Sequence, residues 1–452
     1  MGHHAKALCI LQAIHAPVRF DRPSAPCEVT APRKGNRSLS HASQSSGHQA
    51  SFEFIALMAV MTSIIAFSID AMLPALPQIA ADLRVADVND RQLVVIVLFI
   101  GLALAQIVYG PLSDTLGRKP AAYIGFAIFI VGSVLCVFAS SFEIMLTGRF
   151  LQGVGAAGPR IVSLALVRDL YSGRAMARIM SMVMGIFIIV PVIAPSIGQG
   201  LLLLADWRFI FVALLLQGII GLTWFAWRQP ETLREDRRAP FSLRRIFSAF
   251  REACSNPVTL GYTVAAGLVF GAFVGYLAST QQVLGELYGL GAQFPIYFGA
   301  NALAFGAASM LNARLVMKLG MRRLAGGGLG ATSALSLLFF IVTLLLEGHP
   351  PLWSLMGYLL LTFFFVGVLF GNFNALAMEP MGHIAGVAAA VVGSLATIIS
   401  SVLGWALGQA YDGTVRPMIA GFAALTILAG IVMFLAERYR RHPPAPSPAP
   451  PR

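Results

Sequence analysis

The sequence predicts an all-α membrane protein with twelve transmembrane helices in two six-helix bundles that repeat one another. The first observation is the composition: of 452 residues, 57% are hydrophobic and only 12% are charged. A soluble domain carries about a quarter charged residues. The second is that long segments contain no Asp, Glu, Lys or Arg, each close to the roughly 20 residues of a bilayer-spanning helix. These segments are residues 120–142, 179–205, 209–227, 253–285, 287–313, 324–346 and 417–436.

The third observation is the position of the basic residues. With the N-terminus in the cytoplasm, 26 of the 32 Lys and Arg residues lie in inner loops and tails, and the outer loops hold only four. This bias predicts a multi-pass protein of the cell inner membrane with both termini in the cytoplasm. It also accounts for the net charge of +12 without a nucleic-acid partner.

Apolar segments and the breaks between them give the helix bounds. The predicted helices cover about 53–77, 91–112, 119–141, 144–168, 178–204, 207–228, 257–282, 293–316, 322–346, 351–378, 382–410 and 415–437. The chain is therefore divided into a disordered cytoplasmic tail, a six-helix bundle, a central cytoplasmic loop, a second six-helix bundle and a Pro-rich cytoplasmic tail. These regions are residues 1–50, 51–228, 229–256, 257–438 and 439–452.

The two halves show a weak internal repeat. Gly117 follows the second predicted helix, Gly320 follows the eighth, and basic residues come just after each glycine. Repeated halves joined by a polar loop are typical of secondary transporters. The four cysteines have no paired spacing, and no nucleotide-binding loop or metalloprotease motif is present. We therefore predict no enzyme activity, no cofactor and no metal site, and active transport would draw on an ion gradient.

Asp70 is the one acidic residue well inside a predicted helix. A carboxyl group there is costly and marks a functional site by default, so it is a candidate for taking up and releasing a proton. The alternative is a helix-end residue near the outer surface, because Pro74 and Pro77 follow closely.

The fourth predicted helix supplies a candidate partner. Asp70 is expected about 10 Å and Arg149 about 9 Å below the outer surface at 1.5 Å per residue, so a direct or water-bridged pairing is plausible. Gln152 lies one turn from Arg149 and joins the candidate coupling site. Arg160 and Arg168 are expected only to extend towards the inner surface.

Further candidates lie in other helices. Pro191, Pro195 and Gly198 are expected to bend the fifth predicted helix and let a neighbour approach it closely. Polar side chains elsewhere are candidates to line a cavity: Gln106, Asn301 and Asn374.

Three motifs carry a resemblance to the major facilitator superfamily. GPLSDTLGRKP, Gly110 to Pro120, resembles its signature between helices 2 and 3. RFLQGVGAAGPR, Arg149 to Arg160, resembles the helix 4 motif associated with proton coupling. PVIAPSIGQG, Pro191 to Gly200, resembles the helix 5 antiporter motif, from which Ala194 and Gln199 depart.

The branch is indicated by three longer stretches. SIDAMLPALPQIAADL at Ser68, DWRFIF at Asp206 and FNALAMEPMGHIAGVAAAVVGS at Phe373 resemble the Bcr/CflA-type drug-resistance transporters. The resemblance implies export of small drug-like molecules in exchange for protons, with Asp70 and Arg149 at the coupling site. It also implies an inner gate formed by Gly110, Asp114, Gly117 and Arg118.

Three alternatives stay open. The chain could be a narrow exporter of one metabolite, an importer or facilitator of the same fold, or a membrane sensor that transports nothing. No loop or tail is large enough for an output domain, which disfavours the sensor. The expected partners are an amphipathic small molecule, protons and the lipid bilayer, and the expected state is a monomer.

Overall fold

In the computed structural model, residues 52–441 are described, and the predicted tails lie outside them apart from the first residues of 439–452. Within the described part the chain is almost entirely α-helical. The helices are α1 Phe52–Asp70, α2 Leu76–Asp82, α3 Leu93–Leu116, α4 Arg118–Val137, α5 Phe142–Leu170, α6 Gly173–Leu204, α7 Arg208–Arg228, α8 Leu243–Ser255, α9 Pro257–Thr280, α10 Phe294–Leu319, α11 Met321–Leu345, α12 Leu352–Met378, α13 Ala385–Gln409 and α14 Arg416–Arg441.

The number of membrane spans agrees with the prediction. Among the described residues, 11 helical stretches are long and apolar enough to cross a membrane, and one of them has 58 residues. That stretch contains both α12 and α13, which meet at a turn with non-helical backbone at Met381. A straight helix of this length would measure close to three bilayer thicknesses. Counted as two spans, it brings the total in residues 52–441 to twelve, and the predicted fold class is confirmed.

The first span is not one continuous helix. The prediction of a single helix over residues 53–77 is wrong, because α1 ends at Asp70 and a 3₁₀ turn at Leu73–Ala75 leads into α2. Pro74 and Pro77 each remove a backbone N–H donor, so the regular hydrogen-bond ladder cannot continue. Asp70 is therefore a helix-end residue, as the alternative held, but its side chain is buried, with 5% exposure.

The central loop contains a helix that was not predicted. Within residues 229–256, α8 begins after Ser242, whose hydroxyl accepts a hydrogen bond from the Arg245 backbone N–H at 3.2 Å. This is an N-cap. Ala249 and Ala253, one turn apart, are buried against the bundle. Three arginines precede α8 in the loop and three more lie within it, and they mask this short apolar periodicity, so the plain-loop prediction was wrong here.

We call the end of the bundle that carries residues 229–256 the basic end, and the other end the distal end. At the distal end, α3 and its preceding turn are joined to the second half by direct polar contacts. The Arg91 guanidinium binds both oxygens of Glu286 at 2.6 and 2.7 Å. Asn89 Nδ2 donates to the Gln409 carbonyl at 3.1 Å, and the Gln409 amide donates to Asp90 at 2.9 Å.

Nearer the middle of the bundle the halves share a single side-chain hydrogen bond within residues 52–441, from Ser394 Oγ to the Ala103 carbonyl at 2.6 Å. The direct polar contacts between the halves are therefore concentrated at the distal end. The structure is closed there.

Close helix packing positions α5. A methyl group at Gly153 would lie 2.1 Å from the Leu98 carbonyl oxygen of α3, and one at Gly155 would lie 2.2 Å from the Phe129 nitrogen of α4. Small residues at such contacts let helix backbones approach in membranes. The glycines after Arg149 thus hold α5 against both neighbours, and this fixes the side chains on the same helix.

The orientation of the bundle can be tested with topology reporters. Because basic loops face the cytoplasm, a phosphatase active only outside the cytoplasm should be silent when fused after residue 240 and active when fused after residue 290. A fluorescent reporter that matures only in the cytoplasm should give the opposite pattern at the same two positions. The reversed pattern with both reporters would contradict the orientation.

Candidate functional site

The candidate site begins where α1 stops. The last carbonyl groups of a helix have no partner within it, and the break after Asp70 leaves several such groups in the middle of the bundle. Arg149 Nη2 donates to one of them, the Ser68 carbonyl, at 2.8 Å. The C-terminal end of α1 is therefore capped by a cation from α5, which suits the negative end of a helix dipole.

Arg149 is completely buried, and each of its three nitrogens has an acceptor. Besides the Ser68 carbonyl, Nε donates to the Val94 carbonyl of α3 at 2.8 Å, and Nη1 donates to Gln152 Oε1 at 2.7 Å. Gln152 Nε2 in turn donates to Ser133 Oγ of α4 at 2.9 Å. Arg149 and Gln152 thus link α1, α3, α4 and α5 in one network. No carboxylate forms an ion pair with Arg149 in the part of the chain that the structure describes.

Asp70 lies beside this network but is not bonded to it. Arg149 reaches the carbonyl two residues before Asp70, so the two residues do lie at a similar depth. Direct pairing of the two side chains, which the sequence left open, does not occur in this structure. Within residues 52–441 the carboxyl group of Asp70 accepts no hydrogen bond and forms no ion pair.

The second half of the protein supplies the surface that faces Asp70. Tyr276 of α9 is close enough to interact electrostatically with its carboxyl group. The Tyr276 hydroxyl accepts a hydrogen bond from Asn301 Nδ2 of α10 at 3.0 Å. Two oxygens in this region are buried without a partner within residues 52–441, namely those of the Ser68 hydroxyl and the Asn301 amide. The site therefore combines a carboxyl group and unpaired polar oxygens between the two halves.

Gly198 of α6 packs directly against the break in the first span. A methyl group there would lie 1.8 Å from the carbonyl oxygen of Ala71, the residue after Asp70. Pro195, one turn earlier, is also buried, while Pro191 is half-buried. Of the three residues predicted for this helix, Gly198 is the one that the structure brings to Asp70.

A second cluster lies at the basic end, around Arg118. Its Nη1 donates to Asp114 Oδ1 and to Ser113 Oγ, both at 2.7 Å. Its Nε donates to Asp169 Oδ2 at 2.8 Å. The predicted gate residues Asp114 and Arg118 are therefore bonded to each other, and α3, α4 and α5 are joined through them.

Glu231, just after α7, completes this cluster. Its carboxylate accepts the backbone N–H groups of Arg118 at 3.0 Å and Lys119 at 2.9 Å, the first two residues of α4. It also accepts the N–H of Leu233 at 2.9 Å. Burial alone would raise the pKa of this carboxyl group, but the backbone donors outweigh burial and hold the pKa below its ordinary value.

The same contact explains Gly117. Its φ of +106° is disfavoured for other residues, and a methyl group there would lie 2.6 Å from Glu231 Oε2. The second half repeats part of this arrangement: Gly320 has a φ of +79°, and Arg322 binds Glu437 at 2.9 Å. Within the described residues, no carboxylate contacts the Gly320 position itself. The internal repeat seen in the sequence therefore has a structural counterpart.

The remaining predicted residues lie outside both clusters. Gln106 is half-buried between the halves, and its Oε1 would be 3.2 Å from a methyl group at Gly393. Asn374 donates to the Phe370 carbonyl of its own helix at 3.1 Å. Among the described residues, no atom lies within 4 Å of a methyl group placed at Gly110.

Three residues of the clusters were missed from the sequence: Asp169, Glu231 and Tyr276. Asp169 is the one acidic residue within the basic segment 168–178, and this contrast was the available signal, whereas Glu231 is one of several acidic residues in its loop.

Comparison with known proteins identifies the family. The model of the Major Facilitator Superfamily matches residues 58–404. The chain belongs to the major facilitator superfamily. It is thus a multi-pass membrane transporter, and the resemblance of its motifs to this superfamily is confirmed.

Two curated relatives and one solved structure are similar over most of their length. The multidrug resistance protein MdtL of Salmonella paratyphi A is 31% identical, covering 81% of this chain and 88% of the relative. The bicyclomycin resistance protein homolog of Haemophilus influenzae is 28% identical, covering 86% of this chain and 98% of the relative. The xylose transporter XylE from E. coli, in a partially occluded inward-open conformation, has a TM-score of 0.66 at 12% identity, covering 85% of this chain and 97% of that chain. The structural likeness shows the fold alone.

Gly198 provides a test of the packing at the helix break. Replacing Gly198 by Ala should lower the melting temperature of the purified protein by several degrees, because the added methyl group collides with the Ala71 backbone. Gly200→Ala is the matched control in the same helix, since nothing lies within 4 Å of its added methyl group. It should be neutral or slightly stabilising. Equal effects of both substitutions would contradict the close contact.

Glu231 provides a test at the basic end. Glu231→Gln removes an anion from the start of α4, which should cost about 1 kcal/mol of stability at neutral pH. Because the pKa of Glu231 is lowered in the folded protein, its contribution is present above the ordinary carboxyl pKa and is lost as pH falls through the lowered value. The difference in melting temperature between wild type and Glu231→Gln should therefore shrink from pH 7 towards pH 3.5.

The control for this measurement is Glu235→Gln, in the same loop. Its side chain is 89% exposed, and its ion pair with Arg238 spans 3.8 Å. It should leave the melting temperature unchanged at both pH values. A pH-independent difference for Glu231→Gln would remove the capping assignment.

Proposed function

We propose that this protein exports small drug-like molecules across the cell inner membrane in exchange for protons. The observation that carries the proposal is the buried carboxyl group of Asp70, which interacts electrostatically with Tyr276 and has no hydrogen-bond donor within residues 52–441. The coupling site comprises Asp70 together with Arg149 and Gln152.

The energetics of burial favour a proton as the exchanged ion. An ionised carboxyl group inside a membrane protein costs a few kcal/mol or more unless a partner offsets the cost. Asp70 has no such partner here, so a bound proton removes most of that cost. When the site opens to water or a substrate enters, the cost falls and the proton can leave. Arg149 is held by the Ser68 carbonyl, not by the carboxyl group, so its charge stays in place through both steps.

Alternating access supplies the second half of the mechanism. The distal end is closed in this structure by Arg91, Glu286 and Asn89. We assign this end to the outside, so the closed contacts must separate for Asp70 to take up an external proton. When these contacts form again, the site opens to the cytoplasm instead, and a substrate from the cytoplasm replaces the proton on Asp70.

The cluster at the basic end is proposed as the inner gate. Gly110 and Asp114 lie in the last part of α3, Gly117 joins α3 to α4, and Arg118 begins α4. Arg118 is bonded to both Asp114 and Asp169. In this conformation the Asp114 carboxylate is bonded to the side chain of Arg118, the first residue of α4, and within residues 52–441 it accepts no backbone N–H from the start of a helix. The gate assignment therefore predicts that the basic end rearranges around an intact Arg118–Asp169 pair.

An aromatic surface next to the site suits amphipathic substrates. The rings of Phe270 and Phe273 in α9 stack at 5.1 Å between centroids, and Phe273 lies 6.1 Å from Phe305 of α10. Phe99 of α3 meets Phe270 edge-on at 6.4 Å across the two halves. Such rings bind flat apolar molecules. The relatives named for multidrug and bicyclomycin resistance support export over import.

Asp70→Asn tests the proposed coupling in vesicles that contain purified protein. The substitution removes the titrating group with almost no change in volume. Export against a substrate gradient, driven by a pH gradient, should vanish, because no proton is exchanged. Exchange of labelled for unlabelled substrate should survive, and Asp70→Glu should retain part of the driven export.

The substrate for this test comes from a resistance screen of cells that lack or overproduce the protein. Asp236→Asn, in the central loop, is the control, since it removes an exposed carboxyl group far from the site. If Asp70→Asn exports substrate against its gradient as well as the wild-type protein does, the proposed coupling is refuted. A screen that finds one metabolite only, or that finds uptake, would favour the narrow exporter or the importer.

A further inference from the structure

The helix α8 has an apolar face that the bundle covers only in part. Ala249 and Ala253 are buried against α9 and α13. Leu243 and Phe247, one turn apart on the adjoining side, are 71% and 70% exposed. Large apolar side chains that are exposed side by side indicate a surface that binds a protein, a ligand or a membrane. In a protein that crosses a bilayer, the uncovered part of this face lies where the lipid begins.

The polar face of α8 carries cations without partners. Arg244, Arg245 and Arg251 are exposed, and none forms an ion pair within residues 52–441. The one acidic residue of α8, Glu252, is bound by His383 Nε2 at 2.6 Å. Glu252 lines the same cavity as Arg244 and Arg245, but its carboxylate is bound by His383, so α8 carries three arginines without an ion pair and one carboxylate that is already paired.

A cavity adjoins these cations. It has a volume of about 310 Å³ and separates α8 from the start of α13. It is lined by Arg244 and Arg245, by the hydroxyls of Ser242 and Ser248, by the carboxylate of Glu252, and by the apolar side chains of Ala249, Ile384 and Val387. With 100° between successive residues of a helix, Arg244 lies between the cavity and Phe247 on the surface of α8. Hydroxyl and guanidinium donors thus face a space that is bordered by apolar side chains.

We propose that this cavity and the neighbouring face of α8 bind an anionic phospholipid. Its phosphate group lies among Arg244, Arg245 and Ser248, and its acyl chains pack against Leu243 and Phe247. The charge complementarity is direct, since arginine forks bind phosphate oxygens in pairs. Basic residues beside an apolar face are the pattern of helices that lie in a membrane interface and select anionic lipids.

The bound lipid would act on a segment that contacts both halves. Before α8, the Ala239 backbone N–H donates to the Asp114 carbonyl at 3.1 Å. In the last turn of α8, Glu252 holds His383, which precedes α13. The lipid therefore stabilises one placement of the linker against α13. This inference does not depend on proton coupling or on the nature of the substrate.

Binding of fluorescent phosphatidylglycerol to the purified full-length protein in neutral detergent tests the proposal. The triple variant R244Q/R245Q/R251Q should bind it at least tenfold more weakly than wild type, because each basic residue near a lipid surface contributes about 1 kcal/mol. The matched control is R314Q/K318Q/R323Q, which removes the same charge from exposed residues at the same end of the bundle. The control should change the affinity less than twofold.

Further arms identify the ligand. Phosphatidylcholine with the same chains should bind wild type at least tenfold more weakly than phosphatidylglycerol. L243S/F247S should weaken phosphatidylglycerol binding several-fold, and inorganic phosphate at the concentration of the lipid should not displace it. Unchanged melting temperatures of the variants show that they are folded. Equal losses in the two triple variants, equal binding of the two lipids, or displacement by phosphate alone would each overturn the proposal.

Discussion

The end of α1 inside the bundle is the constraint on which the rest of the site depends. Two prolines stop the helix, and this leaves the Ser68 carbonyl without a partner in its own helix and the carboxyl group of Asp70 buried at the helix end. The guanidinium of Arg149 binds the free carbonyl of Ser68 and the carbonyl of Val94, so a charged side chain replaces the missing backbone donors. Such a buried cation would be costly alone. Three acceptors offset that cost, and the carboxyl group is left unbound.

The neighbouring helices are shaped to keep this end in place. Gly198 lets α6 reach the Ala71 carbonyl, and Gly153 and Gly155 hold α5 against α3 and α4. Each glycine meets backbone atoms, which cannot rotate aside. The motif glycines of helices 4 and 5 are therefore required by one local geometry, and the same geometry positions Arg149. The charged groups at the basic end differ from Arg149 in their partners. Arg118 is paired with carboxylates, and the Glu231 carboxylate caps the start of α4.

The sequence predicted the span count, the repeat and the depth of Asp70 and Arg149, because charge-free length and chain position determine them. It could not predict which atoms meet. Arg149 binds a main-chain oxygen that becomes free only because the helix breaks, and the break depends on how two prolines pack. Tyr276 and Asn301 come from the second half, about 200 residues away, and no local pattern links them to Asp70.

Residue type also misled in two places. Glu231 is one carboxylate in a polar loop, and only the fold shows that the α4 N-terminus meets it. The helix α8 was read as a loop because its arginines interrupt a short apolar pattern; the cap at Ser242 was the stronger signal. In both cases a contact with a distant part of the chain determines the role of the segment, and the neighbouring sequence gives no sign of that contact.

The most direct measurement of the central claim is substrate-induced proton release from the purified transporter across pH 5 to 9. The account predicts that wild type releases protons on substrate addition and that Asp70→Asn releases none while still binding substrate. It also predicts that Arg149→Lys, which keeps the charge but lacks the planar donors for the two carbonyls, releases fewer protons and is less stable. Proton release by Asp70→Asn equal to that of wild type would contradict the account, since the exchanged proton would then be held by another group.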